Sequence, residues 1–487
     1  MRKHMIVLLL LSILLSACSA AETDQETAVK NGDDTLEVTE SSETTVESME
    51  PLAHLPEKNY GGADFKFLVT DTGYFGITDI VREEMTGEIL NDSILERNHK
   101  VEERYSVRIA EIRDDNPVAI AQKAVQSGDA VCDAMFSNLA VGSMILANQC
   151  TDFYSLPTVD PSASYWDPYI FEDLSIRGKA YVATGDISTM DNDCTLMLVF
   201  NKYLVEINEL GDLYTLVREG SWTFDTMGKM CETVGLDING NGEWDQEDRY
   251  GLSLAYDHVN YYYRAFGNRY TTLSRDAEES PEVIPLSDRA VSGFTDIISL
   301  VSNGHNSYFI EKLDANGMIP HTYSRIQFTQ DQYLFTIAEP LIFSEFREME
   351  HDFGVLPLPK QDESQERYYT PLDTAVSYLS VPVCVSDRER CGILLEAMAA
   401  QSAVTITPMY NETVLKRKYT RDIESEEMLN IIMSNRVYEL TNLFSWGSLS
   451  DALTNLCKKG SADIASTYAK CEPSVTKAIE KTFTNLS

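Results

Sequence analysis

Histidine is scarce in this chain, with seven in 487 residues, and basic residues are outnumbered about two to one, 39 against 77 acidic. No H-E-x-x-H, G-x-S-x-G or G-x-G-x-x-G occurs, so the sequence carries no metalloprotease, serine-hydrolase or dinucleotide signature. Two carboxylates suffice for a glycosidase, so that chemistry is not excluded by missing motifs. A formal charge of −38 makes nucleic acid and anionic membrane surfaces poor partners. No C-x-x-C pair is present, and no cysteine has a histidine neighbour at metal-ligand spacing. Cys384 and Cys391 flank a strand-to-helix turn, while Cys457 and Cys471 lie in helical text, and spacing alone establishes no disulfide. Beyond the first fifteen residues no apolar run approaches the ~18 needed to cross a bilayer.

What is there begins at the N-terminus. Arg2 and Lys3 precede the apolar run Ile6 to Leu15, too short for a membrane span and expected to be a secretion signal over residues 1–17. Leu15-Ser16-Ala17-Cys18 resembles the bacterial lipobox, which implies cleavage before Cys18 and acylation of that cysteine. Acyl chains there would hold the protein on the outer face of the cell membrane. Residues 19–50 contain ten acidic residues, one lysine and no aromatic residue. They cannot bury enough apolar surface to offset their ordering entropy, so residues 18–57 are expected to be a tether.

About 430 residues remain, more than one ordinary core, which suits two lobes. Phe65 to Thr70 reads as a strand. Ile94, Leu95, Asn98, Val101 and Tyr105 recur at helical spacing, Ser106 to Ile112 is a second strand, Ala119 to Gln126 a helix, and Cys132 to Phe136 a third strand. This alternation predicts a parallel α/β sheet whose ligands sit beyond the carboxyl ends of the strands, at Asp71 and Asn138. Trp222 opens a helix capped by Thr223 and reads as a core staple.

Asp237 to Asp248, D-I-N-G-N-G-E-W-D-Q-E-D, matches the twelve-position calcium loop. Asp237, Asn239 and Asn241 take positions 1, 3 and 5, and Gly242 is the turn glycine. Glu243 offers its backbone carbonyl, and Asp245 and Asp248 close the set. Asp248 replaces the usual bidentate glutamate, so the expected affinity is weak. A structural calcium ion and a metal-free acidic turn both remain open. Dockerins carry two such loops about two dozen residues apart; one loop in mid-chain argues against docking. No catalytic cofactor is indicated.

Leu198-Val-Phe-Asn-Lys-Tyr-Leu204, Gly220-Ser-Trp-Thr-Phe-Asp225, the acidic loop with Tyr250-Gly251, and Asp352-Phe-Gly-Val-Leu-Pro-Leu-Pro-Lys360 with Gln365 and Tyr368-Tyr369-Thr370 follow in order. In spelling and spacing this resembles the family 1 extracellular solute-binding proteins, lipoprotein receptors of ABC importers in Gram-positive bacteria. The resemblance covers most of residues 58–487. It implies a type II binding-protein fold, α/β, with two lobes around a ligand cleft that closes by hinge motion. The implied crossings lie near 194–200, 353–359 and 403–408, with lobe one at 58–195 plus 360–402 and lobe two at 196–359 plus 403–487. It also implies no enzymatic activity, an oligosaccharide ligand, ABC permease subunits as partners, and a monomer. The alternatives are a receptor for another solute, a ligand-presenting partner of a signalling system, and a secreted carbohydrate-active enzyme.

A sugar cleft needs flat aromatic plates and side chains that take bidentate hydrogen bonds. The candidate plates are Trp166, Tyr262 within the run Tyr261-Tyr262-Tyr263, and Trp446. The candidate polar groups are Asp71, Asn138, Asp191 and Glu345.

Overall fold

The strands of the computed structural model are β1 (Ala63–Thr70), β2 (Val107–Asp114), β3 (Ala134–Ser137), β4 (Met197–Asn201), β5 (Tyr250–Leu254), β6 (Ser307–Phe309), β7 (Tyr333–Ala338), β8 (Phe353–Leu356), β9 (Thr370–Pro371), β10 (Tyr378–Ser380) and β11 (Arg436–Val437). The structure describes residues 50–72, 76–77, 79–412, 423–447 and 449–486. Cys18 and most of the expected tether lie outside the described residues.

The first lobe is built on the sheet β10-β3-β1-β2. In it β1 runs parallel to β2 and β3, with Phe67 opposite both Glu111 and Ala134, and β10 closes one edge antiparallel to β3. Helix Ile89–Tyr105 buries Ile94, Leu95, Asn98, Val101 and Tyr105, the face its spacing predicts, and packs on helix Arg388–Tyr410. It stops at Ser106, which adopts φ 49° and donates its N–H to Glu102. Helix Pro117–Ser127 starts with Pro117 behind the Asn116 cap and ends at Gly128, φ 76°.

The second lobe is built on the order β6-β5-β7-β4-β8. Strands β5, β6 and β7 are parallel, and β4 is antiparallel to both β7 and β8. β4, β5, β7 and β8 are buried along their whole length, the signature of a sheet covered on both faces. Trp222 is one reason for that burial: its ring lies tilted on Phe335 and its Nε1 donates to the Pro357 carbonyl at 2.9 Å. Thr223 caps helix Phe224–Val234.

Three segments laid side by side connect the lobes. β9 and β11 pair in parallel, Thr195 bridges Leu372, and the Asp373 N–H donates to the Cys194 carbonyl. Two of the expected crossings are therefore displaced. Residues 360–369 stay on the second lobe, where Gln365 donates to Ala265 O and Tyr368 to Val217 O, so the chain crosses at β9 rather than at 353–359. Residues 403–408 are not extended. They are the last turns of helix Arg388–Tyr410, and the third crossing is β11. The C-terminal helices divide between the lobes: Leu440–Phe444 packs on the first lobe at residues 139–146, and Leu449–Lys458 packs on the second.

Candidate ligand-binding cleft

The carboxyl ends of β1 and β3 face the seam from the first lobe. Asp71 follows β1, exposed, with its N–H on the Asp114 carbonyl and its carboxylate 3.5 Å from Arg113 Nη1. Asn138 follows β3, and its amide oxygen accepts from the Ala140 N–H at 3.1 Å, capping a turn at Leu139–Val141. A few residues on, Gly142 admits no side chain, because a Cβ there would sit 1.8 Å from the Leu443 carbonyl. Behind this rim the wholly buried Arg97 donates to the carbonyls of Asp79, Ile80 and Ile187 and to Ser402 Oγ. That ties the loop after β1 to the first crossing. Burial holds the guanidinium down to about 10, still cationic at neutral pH.

From the second lobe the seam receives the turn Tyr256–His258 and helix Val259–Ala265 after β5, helix Pro320–Thr329, and the turn Pro340–Phe346 after β7. Asp373, just past β9, accepts from Tyr261 OH at 3.1 Å and from the Ala375 N–H at 2.8 Å. The His258 ring lies 5.3 Å from that of Tyr261 and 6.3 Å from that of His321. Burial pushes His258 down to about 4 against the pull of Asp257, and its Nδ1 is buried without a hydrogen-bond partner. His321 is also lowered, by burial and then by Arg325, so both imidazoles are neutral at neutral pH. Burial raises Asp373. Arg325 grips Glu345 with two hydrogen bonds, 2.6 Å and 3.0 Å.

Arg264, one turn beyond Tyr261, is 6% exposed and lies 5.5 Å from that ring. Its guanidinium makes no hydrogen bond or ion pair among the described residues. It borders two small spaces of about 10 Å³ each. Asp373, Tyr378, Glu439 and Asn442 line the first, and Asn268, Tyr369 and Glu439 line the second.

Glu345, Asp71 and Asn138 stand at the rims, but the other candidates do not present a free face. Trp166 is buried, with Nε1 on Glu396 at 3.0 Å. Trp446 is buried, stacked 5.1 Å from Phe444, with Nε1 on Thr482 at 2.8 Å. The apparent loop text around it becomes core once helix Ile464–Asn485 folds over it. Tyr262 is wholly buried against Phe224, and its neighbour Tyr261 faces the seam instead. Asp191 is buried among crossing residues, where Arg436 Nη1 reaches it at 3.1 Å and Asp167 at 3.0 Å, while Nε donates to Thr195 and Nη2 contacts Asn192. Sequence reading missed Asp257, His258, Arg264, His321 and Asp373, and within the tyrosine run it settled on Tyr262 rather than Tyr261. One signal was available: Tyr261 and Arg264 stand three apart on a short helix whose other face is core.

The acidic loop lies at the amino end of β5, the end away from the seam. It is folded by its own turns. Asp237 accepts from the N–H groups of Gly240 and Gly242 at 2.7 and 2.8 Å, Asn239 from Asn241, and Asn241 from Glu243. The buried Asp248 accepts from Ile238 and Asp245 at 3.0 Å each. Gly240 and Gly242 take φ of 69° and 81°. Among the described residues no group of three or more His, Cys, Asp or Glu side chains is placed to hold a metal ion.

No family model and no curated protein matches this sequence. Solved structures do match. An ABC substrate-binding protein of Listeria monocytogenes in complex with cycloalternan superposes with a TM-score of 0.55 at 12% identity, over 86% of this chain and 99% of that one. A cyclo/maltodextrin-binding protein complexed with maltotetraose gives 0.54 at 12% identity, over 86% and 96%. The apo form of RafE from Streptococcus pneumoniae gives 0.53 at 11%, over 86% and 98%. At these identities the likeness establishes the fold, the two-lobed α/β architecture of periplasmic-type binding proteins.

Proposed function

We propose that this chain is a lipid-anchored receptor on the outer face of the cell membrane that captures an oligosaccharide between its lobes and delivers it to an ABC permease. The observation that carries this reading is the seam. Asp373, Tyr261, His258, His321 and Arg264 converge there at the strand ends where open α/β sheets bind ligands. The fold is shared with receptors solved with cycloalternan and maltotetraose, and the lipobox-like Leu15 to Cys18 supplies the anchor. Neutral imidazoles and hydroxyls suit uncharged polyols, whose hydroxyls both donate and accept. The role is capture rather than turnover.

Titration calorimetry of the mature protein with a broad panel of neutral oligosaccharides tests the reading, with micromolar or tighter binding and quenched tryptophan fluorescence expected. A peptide or other solute that binds while every sugar fails would overturn it. Oligosaccharide cleavage products would point to an enzyme. The acidic loop is proposed as a weak calcium clip of the second lobe, held by Asp237, Asn239, Asn241, the Glu243 carbonyl, Asp245 and Asp248.

A further inference from the structure

We propose that Arg264 and Asp373 together are the ligand's primary polar anchor and read two adjacent hydroxyls on one sugar ring. This rests on the sugar-receptor reading above and adds which residues set specificity. A guanidinium carries five N–H donors, and those of Arg264 have no protein acceptor among the described residues, while its nitrogens are not among the buried, unpaired polar atoms and so keep a trace of exposure. Arg97 and Arg436, the other buried arginines among the described residues, each have at least four partner groups. Arg264 has no hydrogen-bond partner among the described residues; it lies over the face of Tyr261 and attracts the buried Glu439 without bonding to it. The spaces it borders, about 10 Å³ each, are the size of a single water, too few acceptors for the donors available. The donors of Arg264 are therefore open to a ligand that enters when the lobes part.

The surroundings define the chemistry of that ligand. Asp373 lines the same space as Arg264. Tyr261 and the Ala375 N–H each occupy one of its carboxylate oxygens once, which leaves acceptor capacity on both. Glu439 also lines the space, engaged by Thr441 Oγ1 at 2.8 Å, and Asp257 stands beyond His258. A carboxylate ligand would meet these three acids with Arg264 as the one guanidinium not already paired, since Arg269 at the second space is bound to Asp173. A vicinal diol instead accepts from Arg264 with one hydroxyl and donates to Asp373 with the other, matching both signs at once. The site therefore favours neutral saccharides over uronates.

The test uses the mature full chain, its variants Arg264→Gln and Arg264→Lys, the best neutral sugar of the panel, that sugar's single-deoxy analogues and its uronate. Wild type should prefer the parent sugar over one deoxy analogue by about tenfold or more and bind the uronate more weakly still. Arg264→Gln should lose about tenfold to a hundredfold in affinity, and its preference over that same deoxy analogue should collapse towards one. Its ligand-free melting temperature should fall only slightly, since it loses the Tyr261 face and the pull on Glu439 but leaves no hydrogen-bond partner orphaned. Arg264→Lys should restore part of the affinity but not the discrimination, because an ammonium cannot fork. If wild type binds sugar and Arg264→Gln binds it equally well, or keeps the full preference over the deoxy analogue, the anchor is elsewhere and the receptor reading stands. If wild type binds no sugar, both readings fall.

Discussion

Two arginines buried near the same seam are treated in opposite ways. Arg436, on the third crossing, is surrounded by Asp167, Asp191, Asn192 and Thr195, with Tyr438 OH joining it through Asp167 at 2.8 Å. Arg264, on the helix after β5, has the face of a tyrosine and two water-sized spaces. A buried charge that has found all its partners within the chain holds the backbone in place. One with no hydrogen-bond partner in the chain is open to a partner from outside. The comparison separates the hinge, where specificity is for the fold, from the cleft floor, where it is for a ligand.

The largest effect should come from breaking the paired side. Arg436→Met leaves Asp167 and Asp191 buried without their cation, a loss of about 3–5 kcal/mol in denaturant unfolding at neutral pH, where Arg264→Gln is near neutral. This contrast has a pH signature. Two carboxylates share one guanidinium, and burial pushes Asp191 up to about 7 from an ordinary 3.8. The folded protein thus holds a proton there that the unfolded chain releases between about pH 4 and pH 7. Stability from this group is fully present below that window and falls as pH rises through it. Asp191→Asn should flatten that slope, and the Arg436→Met loss should be greater at pH 8 than at pH 5. A pH-independent Arg436→Met loss would mean that the carboxylates are not the partners that matter.

Trp446 extends the comparison to apolar groups. Its ring and its N–H both have partners, so Trp446→Ala should cost about 3–5 kcal/mol of stability while the folded fraction keeps its ligand affinity. A stable variant with lost affinity would return Trp446 to the cleft as a sugar plate. The smallest effect belongs to the acidic loop. Asp237 already has both carboxylate oxygens on backbone N–H groups of its own loop, so the turn folds by itself. Millimolar calcium should add only about 1 kcal/mol, read as a small rise in melting temperature that Asp237→Ala abolishes. No rise at millimolar calcium leaves a metal-free turn.

Much of the fold was legible because local chemistry agrees with it. The helical spacing of Ile94 to Tyr105, the helix expected over Ala119 to Gln126 and found over Pro117–Ser127, and the Thr223 cap all depend on residues a few positions apart. The displaced crossings have a different cause. Helix Arg388–Tyr410 continues through 403–408 even though it contains Pro408, because packing on helix Ile89–Tyr105 outweighs local propensity. Glycines 178 and 185 bound a segment that looks like a strand, yet only single bridges form along it, one of them Ala183 to Leu379 at the edge of β10. In the cleft, Asp71 and Asn138 were legible as strand ends. Asp373, His321 and Arg264 were not, since their meeting depends on segments more than fifty residues apart.

By itself the sequence determined the spaced helical face of Ile94 to Tyr105, the Thr223 cap, the acidic loop's turns and the lipobox-like start, because each is written within a dozen residues. Only the tertiary structure decided which charges are spent on the hinge and which are left at the seam. Asp191 and Arg264 look alike in sequence, a polar residue beside apolar text. Whether a buried charge is partnered depends on chain that arrives from far away, 245 residues from Asp191 to Arg436.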